Sequence, residues 1–220
     1  MLAIDRLHTF DLGVIAAYNG TSIMRLVEAG AFGEGSPEES LAVFSKLLRE
    51  WPTNHPTWIK CVKLRQLGDA SKPVLKFRCS GASKNRKVLP LVTRLVRVHR
   101  RKLNLGGMRG NQLLRAGRAF LKCQKLLIQS RLSRRQRRLL PRLMLRGLLA
   151  WSAARGHLYP KHHAAYHLAR QVAWHGTQTS TDKDESFHRI CKRIYHSANA
   201  RVVGLLAKHN VLANVRTFIP

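Results

Sequence analysis

Residues 113–127 read LLRAGRAFLKCQKLL, and their periodicity settles the class of fold. At about 100° per residue, Leu113, Ala116, Phe120, Cys123 and Leu127 fall on one stripe. Arg115, Arg118, Lys122 and Lys125 fall on a second stripe roughly opposite. One face is built for a core, and the other offers a row of cations. A strand would alternate every second residue, which this stretch does not do.

The same design lies on either side. In RKVLPLVTRLVRVHRRKL (86–103), Val88, Leu91, Val92 and Leu95 share a face, and Arg94, Arg97 and Arg101 share another. In a third such stretch, Arg135, Arg138, Arg142 and Arg146 face away from Leu140, Leu143, Met144 and Leu148. Pro141 is expected to kink that helix or to mark its start. Upstream, SPEESLAVFSKLLREW (36–51) carries a capping box from Ser36 to Glu39, with Pro37 in the first turn. LGVIAAYNGTSIMRLVEAG (12–30) reads as a further helix, weakened by Gly20. WPTNHPTW (51–58) breaks the pattern. WIKCVKL (58–64) and PVLKFRC (73–79) suit short strands or irregular chain equally. NLGGMRGN (104–111) is the best hinge, and its glycines do not have the spacing of a phosphate loop. The expectation is a mainly α protein with at most a short strand pair.

Charge points to the partner. The 220 residues carry 40 Lys and Arg against 11 Asp and Glu, a formal charge of +29. Eight of the eleven acids lie at or before Asp69, and the rest are Asp182, Asp184 and Glu185. Between Ala70 and Thr181 there are 26 Lys or Arg and no carboxylate. A surface made only for solubility mixes signs. A block without acids fits a phosphate backbone, so nucleic acid is the expected partner. An anionic membrane surface is the weaker candidate, because Trp and Phe are sparse on the basic helix faces. No stretch reaches 18 apolar residues, and no transit or secretion signal is read at the start. Cys61, Cys79, Cys123 and Cys191 fit neither a zinc pattern nor a compact disulfide framework, which suggests reduced thiols inside a cell. No nucleophile elbow supports a hydrolase.

Two further stretches carry candidate chemistry. IDRLHTFDLG (4–13) packs Asp5, His8 and a Leu-Gly step into ten residues. YPKHHAAYHL (159–168) sets His163 and His167 one helical turn apart, a spacing able to hold a metal, but without an evident third ligand the pair is expected to be stacked surface or core histidines. Further on, Asp182 and Glu185 stand at capping-box spacing before SFHRICKRIYHSANARVVGLLAKH (186–209).

In order and spacing, D-x-x-H-x-x-x-L-G at Asp5–Gly13, P-K-H-H with H-L at 160–168, and E-S-F-H-R at 185–189 resemble the C-terminal half of CACTA-type, Plavaka-like transposases. These are DDE enzymes of the RNase H-like superfamily. The resemblance implies that Asp5 is the second catalytic acid and Glu185 the third, with His8 beside Asp5. Both acids would hold Mg²⁺ or Mn²⁺. It divides the chain into a catalytic-core remnant (1–69), a basic helical insertion (70–156) and C-terminal helices with the third acid (157–220). The cations at 94, 97, 101, 115, 118, 122, 125, 135, 138, 142 and 146 would hold DNA, and the protein would be nuclear. The family's first Asp would precede residue 1, and TQTSTDK (177–183) replaces its aromatic-rich run. Two-metal phosphoryl transfer needs that first acid. The expected function is therefore DNA binding by a transposase-derived fragment that lacks strand cleavage unless another chain supplies the missing half. The alternative is a non-catalytic basic helical RNA- or DNA-binding protein in which Asp5 and Glu185 are helix caps.

Overall fold

The computed structural model describes residues 5–51, 59–78, 81–105 and 109–176. Among them are a π-helical segment, Leu7–Ile15, that runs directly into α1 (Ala16–Glu28), then α2 (Pro37–Glu50) and a 3₁₀ turn at Leu64–Gln66. There follow α3 (Gly81–Val98), α4 (Arg100–Leu105), α5 (Gly110–Leu127), α6 (Arg134–Ala153) and α7 (Pro160–His175). The fold is mainly helical, and no strand occurs among the described residues.

The first helix is the axis of the bundle. From Gly13 to Met24 every residue is buried, the pattern of a helix enclosed on all sides. Helices α3 and α7 pack against the π-helical segment, and α3 and α2 against α1. An aromatic cluster joins this axis to the basic helices. Phe120 of α5 meets Phe10 and Tyr18 edge-on, at ring separations of 6.3 and 5.8 Å. Tyr18 also lies 5.9 Å from Trp151 of α6. Gly20, a weak helix residue, is explained by packing. A β-carbon there would stand 2.7–2.8 Å from the backbone of Pro73, Val74 and Leu75.

Those residues belong to the stretches that the sequence left undecided between strand and irregular chain. They are irregular, because their backbone groups find scattered partners instead of a neighbouring strand. Val62 N–H donates to Ser45 Oγ at 2.9 Å, and Leu75 N–H to the Ala16 carbonyl at 2.9 Å. Ile59, Val62, Leu67 and Leu75 point inward and hold the segment down. A buried amide pair closes the same corner: Asn19 Nδ2 donates to the Asn85 carbonyl at 3.0 Å, and Asn85 Nδ2 to the Leu75 carbonyl at 3.2 Å.

Two helix starts are capped by serine, the anticipated one at Ser36 and another at Ser133. Ser36 Oγ accepts the Glu39 N–H at 3.2 Å, and Glu39 accepts the Ser36 N–H at 2.8 Å. Ser133 makes the same box with Gln136. Helix α6 therefore begins at Arg134, and Pro141 lies inside it rather than at its start. An interior proline costs about 3 kcal/mol. Burial of Leu140, Leu143 and Met144 offsets that cost, since each such side chain contributes roughly 1.5–3 kcal/mol.

Candidate nucleic-acid interface

The two cationic stripes of α5 and α6 become one surface because the helices lie close together. Gly147 permits it: a β-carbon there would sit 2.7 Å from Phe120 Cε1 and 3.1 Å from Ala119 Cβ. Between the helices runs an open groove of about 540 Å³. Arg115, Arg118 and Lys122 line it from α5, and Arg146 from α6. Its apolar lining comes from Ala119, Leu143, Leu149, Ala150 and Ala153. Among the described residues no carboxylate lines it. Four cations around one trough can follow a row of phosphates, with Gln112 as a neutral donor.

The remaining expected cations are exposed but distributed. Lys125 lies on the α5 stripe outside the groove. Arg135, Arg138 and Arg142 frame a second hollow of about 530 Å³ with Arg134. Arg97 and Arg101 meet Arg100 in a third hollow of about 660 Å³ where α3 gives way to α4. Arg94 borders that hollow as well, with its guanidinium 5.3 Å from the Trp51 ring centroid. A fourth basic hollow, also about 660 Å³, gathers Lys60, Lys63, Arg65, Lys76, Arg78 and Lys84. Periodicity did not reveal it, since four of the six sit on irregular chain and Arg65 on a single 3₁₀ turn. The only sequence signal was the local density of Lys and Arg.

Asp5 and His8 are neighbours. Asp5 Oδ2 accepts the His8 backbone N–H at 2.8 Å and lies 2.6 Å from His8 Nδ1. This is the geometry of a helix N-cap, one turn ahead of the buried axis. Glu185, with Asp182 and the stretch after it, lies outside the described residues. Asp11 is buried, its Oδ2 3.5 Å from Arg6 Nε and 3.4 Å from Arg86 Nη1. Two guanidinium groups occupy the surroundings that a metal ion would need. No group of three or more His, Cys, Asp or Glu gathers at one point among the described residues.

The two histidines of the Pro-Lys-His-His step have opposite fates. His162 is buried, accepts the Tyr159 N–H on Nδ1 at 3.0 Å, and stacks on Trp151 at 6.0 Å with planes 6° apart. Burial pulls its pKa down to about 4. His163 is exposed and faces His167, with their Nε2 atoms 2.9 Å apart. Among the described residues no helix is long and apolar enough to cross a membrane. No family model, curated protein or solved structure matches the chain.

Proposed function

We propose that this chain binds nucleic acid, DNA foremost, through the groove between α5 and α6, and that it derives from a DDE transposase. The observation that supports binding is the convergence of Arg115, Arg118, Lys122 and Arg146 on one trough with no acid among the described residues of its lining. Phosphates are the ligands that such a trough suits, because each bound cation releases condensed counterions from the polyanion. Contacts of this kind go to the phosphate backbone, so the binding is sequence-tolerant. The hollows at Arg97–Arg101 and Arg134–Arg142 extend the contact along the backbone. Nuclear residence follows from this reading.

The test is a titration of labelled duplex DNA at rising salt. Affinity should fall steeply, with a log–log slope of about −0.9 for each phosphate contacted. Replacing Arg115, Arg118 and Lys122 with Glu should flatten that slope by roughly 3 and weaken unrelated sequences equally. Unchanged affinity between about 50 and 200 mM salt would refute the proposal.

A second reading assigns Asp5 and Glu185 to a metal-dependent strand-transfer site, and the contact of Asp5 with His8 is the observation in its favour. On our proposal that chemistry is ancestral, and Asp5 now serves as a cap. A nicking assay with Mg²⁺ or Mn²⁺ should show no cleavage by this chain. Cleavage abolished by Glu185→Gln would restore the catalytic reading.

A further inference from the structure

The outer face of α7 plays no part in nucleic-acid binding as proposed above. His163, His167, Arg170 and Trp174 follow one another there at spacings of four, three and four, and all four are exposed. The imidazoles of His163 and His167 meet edge to face, with ring centroids 4.5 Å apart and planes at 72°. Their Nε2 atoms are 2.9 Å apart.

We propose that His163 and His167 form a surface site for a divalent transition-metal ion, Cu²⁺ or Ni²⁺ by preference. Two nitrogen donors 2.9 Å apart, each about 2.0–2.1 Å from an ion, subtend close to a right angle at it. That is the angle between adjacent ligands in square-planar and octahedral complexes, which Cu²⁺ and Ni²⁺ adopt with nitrogen ligands. A tetrahedral Zn²⁺ would need the nitrogens roughly 3.3 Å apart. Imidazole suits all three ions, and the general order of affinity also places Cu²⁺ first.

The proton balance is simple. In the metal-free pair one neutral ring donates its Nε2–H to the lone pair of the other. On binding, the donating ring moves that proton to Nδ1, and both Nε2 lone pairs turn to the ion. No net proton is lost. Water fills the remaining positions, because the face is open to solvent. Helix geometry preorganises the pair, since residues four apart stand one above the other on one face.

Cations oppose the site. Arg170 shares the stripe, and the whole chain is strongly positive. Added inert salt screens that repulsion. Metal affinity should therefore rise with salt, whereas affinity for a polyanion falls. This opposite sign separates the two proposals, and failure of either leaves the other standing.

The experiment titrates the full chain with Cu²⁺, and in parallel with Ni²⁺ and Zn²⁺, by calorimetry and by electron paramagnetic resonance for copper. One equivalent should be weakened at least about tenfold by His163→Ala and by His167→Ala, since loss of even an outer-shell partner costs 10–100-fold. His163→Gln should behave as His163→Ala does. His175→Ala, on the same helix but outside the pair, should leave that equivalent intact. The copper resonance should show nitrogen coordination that either alanine variant reduces. Equal binding by the wild-type chain and the His163→Ala and His167→Ala variants, with helix content unchanged, would overturn the site. Tighter binding of Zn²⁺ than of Ni²⁺ would overturn the right-angle assignment.

Discussion

Asp5 and His8 are joined twice, by a backbone N–H of His8 at 2.8 Å and by its ring nitrogen at 2.6 Å from the same carboxylate oxygen. The first contact satisfies an amide that an uncapped helix start leaves without a partner. Asp5→Ala should therefore lower stability by about 1 kcal/mol, and Asp5→Asn should retain most of it. Urea midpoints of the three proteins measure this. Equal midpoints for the wild-type and alanine forms would remove Asp5 from its capping role.

His162 makes the fold sensitive to acid. Its pKa falls from an ordinary 6.5 to about 4 because burial disfavours the imidazolium. The unfolded chain takes up this proton first as pH drops. Stability is thus fully present above pH 6.5 and is lost as pH falls towards 4. The shift corresponds to roughly 3 kcal/mol, at about 1.36 kcal/mol per pKa unit. His162→Gln keeps a side chain able to accept the Tyr159 N–H and should flatten the stability profile between these limits. A profile as steep as the wild type's would assign the acid sensitivity to another group.

Two glycines set the spacing of the bundle. A methyl group at Gly117 would meet the Tyr18 hydroxyl, and one at Gly147 would crowd the Phe120 ring. Gly117→Ala and Gly147→Ala should each destabilise by about 1–3 kcal/mol, despite alanine's better helix propensity. Thermal denaturation monitored by circular dichroism reads the result. Gly147→Ala should also splay the α5–α6 groove and weaken DNA binding beyond its effect on folding.

The arginines of α3 and α4 divide by role. Arg97→Glu and Arg101→Glu together should reduce the salt slope of DNA binding by about 2 with helix content unchanged. Arg94 also stacks over Trp51, so Arg94→Ala should cost about 0.5–1 kcal/mol of stability. A stability loss for Arg97→Ala equal to that for Arg94→Ala would dissolve this division.

Periodicity made the outer helices legible. The stripe from Leu113 to Leu127 is buried and the stripe from Arg115 to Lys125 is exposed, because amphipathic spacing is a local property. The serine cap at Ser36 gave the start of α2 for the same reason, whereas the equivalent cap at Ser133 was not read. The central helix was harder. An element buried all round has no polar face to mark its phase, and Gly20 argues against a helix until the backbone of residues 73–75 is seen beside it. The convergence of the α5 and α6 cations was out of reach, since it depends on the close approach at Gly147. The opposite fates of His162 and His163 were equally hidden, because they turn on the position of Trp151. Of the two readings of Pro141, that it marks the start of α6 does not hold, because the local penalty is outweighed by tertiary packing.

The buried axis also imposes an order on biogenesis. The guanidinium of Arg6 reaches the carbonyl of Leu127 at 3.2 Å, and α7 packs on the π-helical segment. At roughly 5–20 residues per second, a ribosome delivers α7 on the order of ten seconds after the segment it must cover. A segment whose apolar side chains are fully buried in the fold is therefore made well before the helix that packs on it. During that interval Phe10, Val14, Ile15 and Tyr18 offer a greasy helix to any holdase near the exit tunnel. Newly made protein should depend on such help far more than mature protein does.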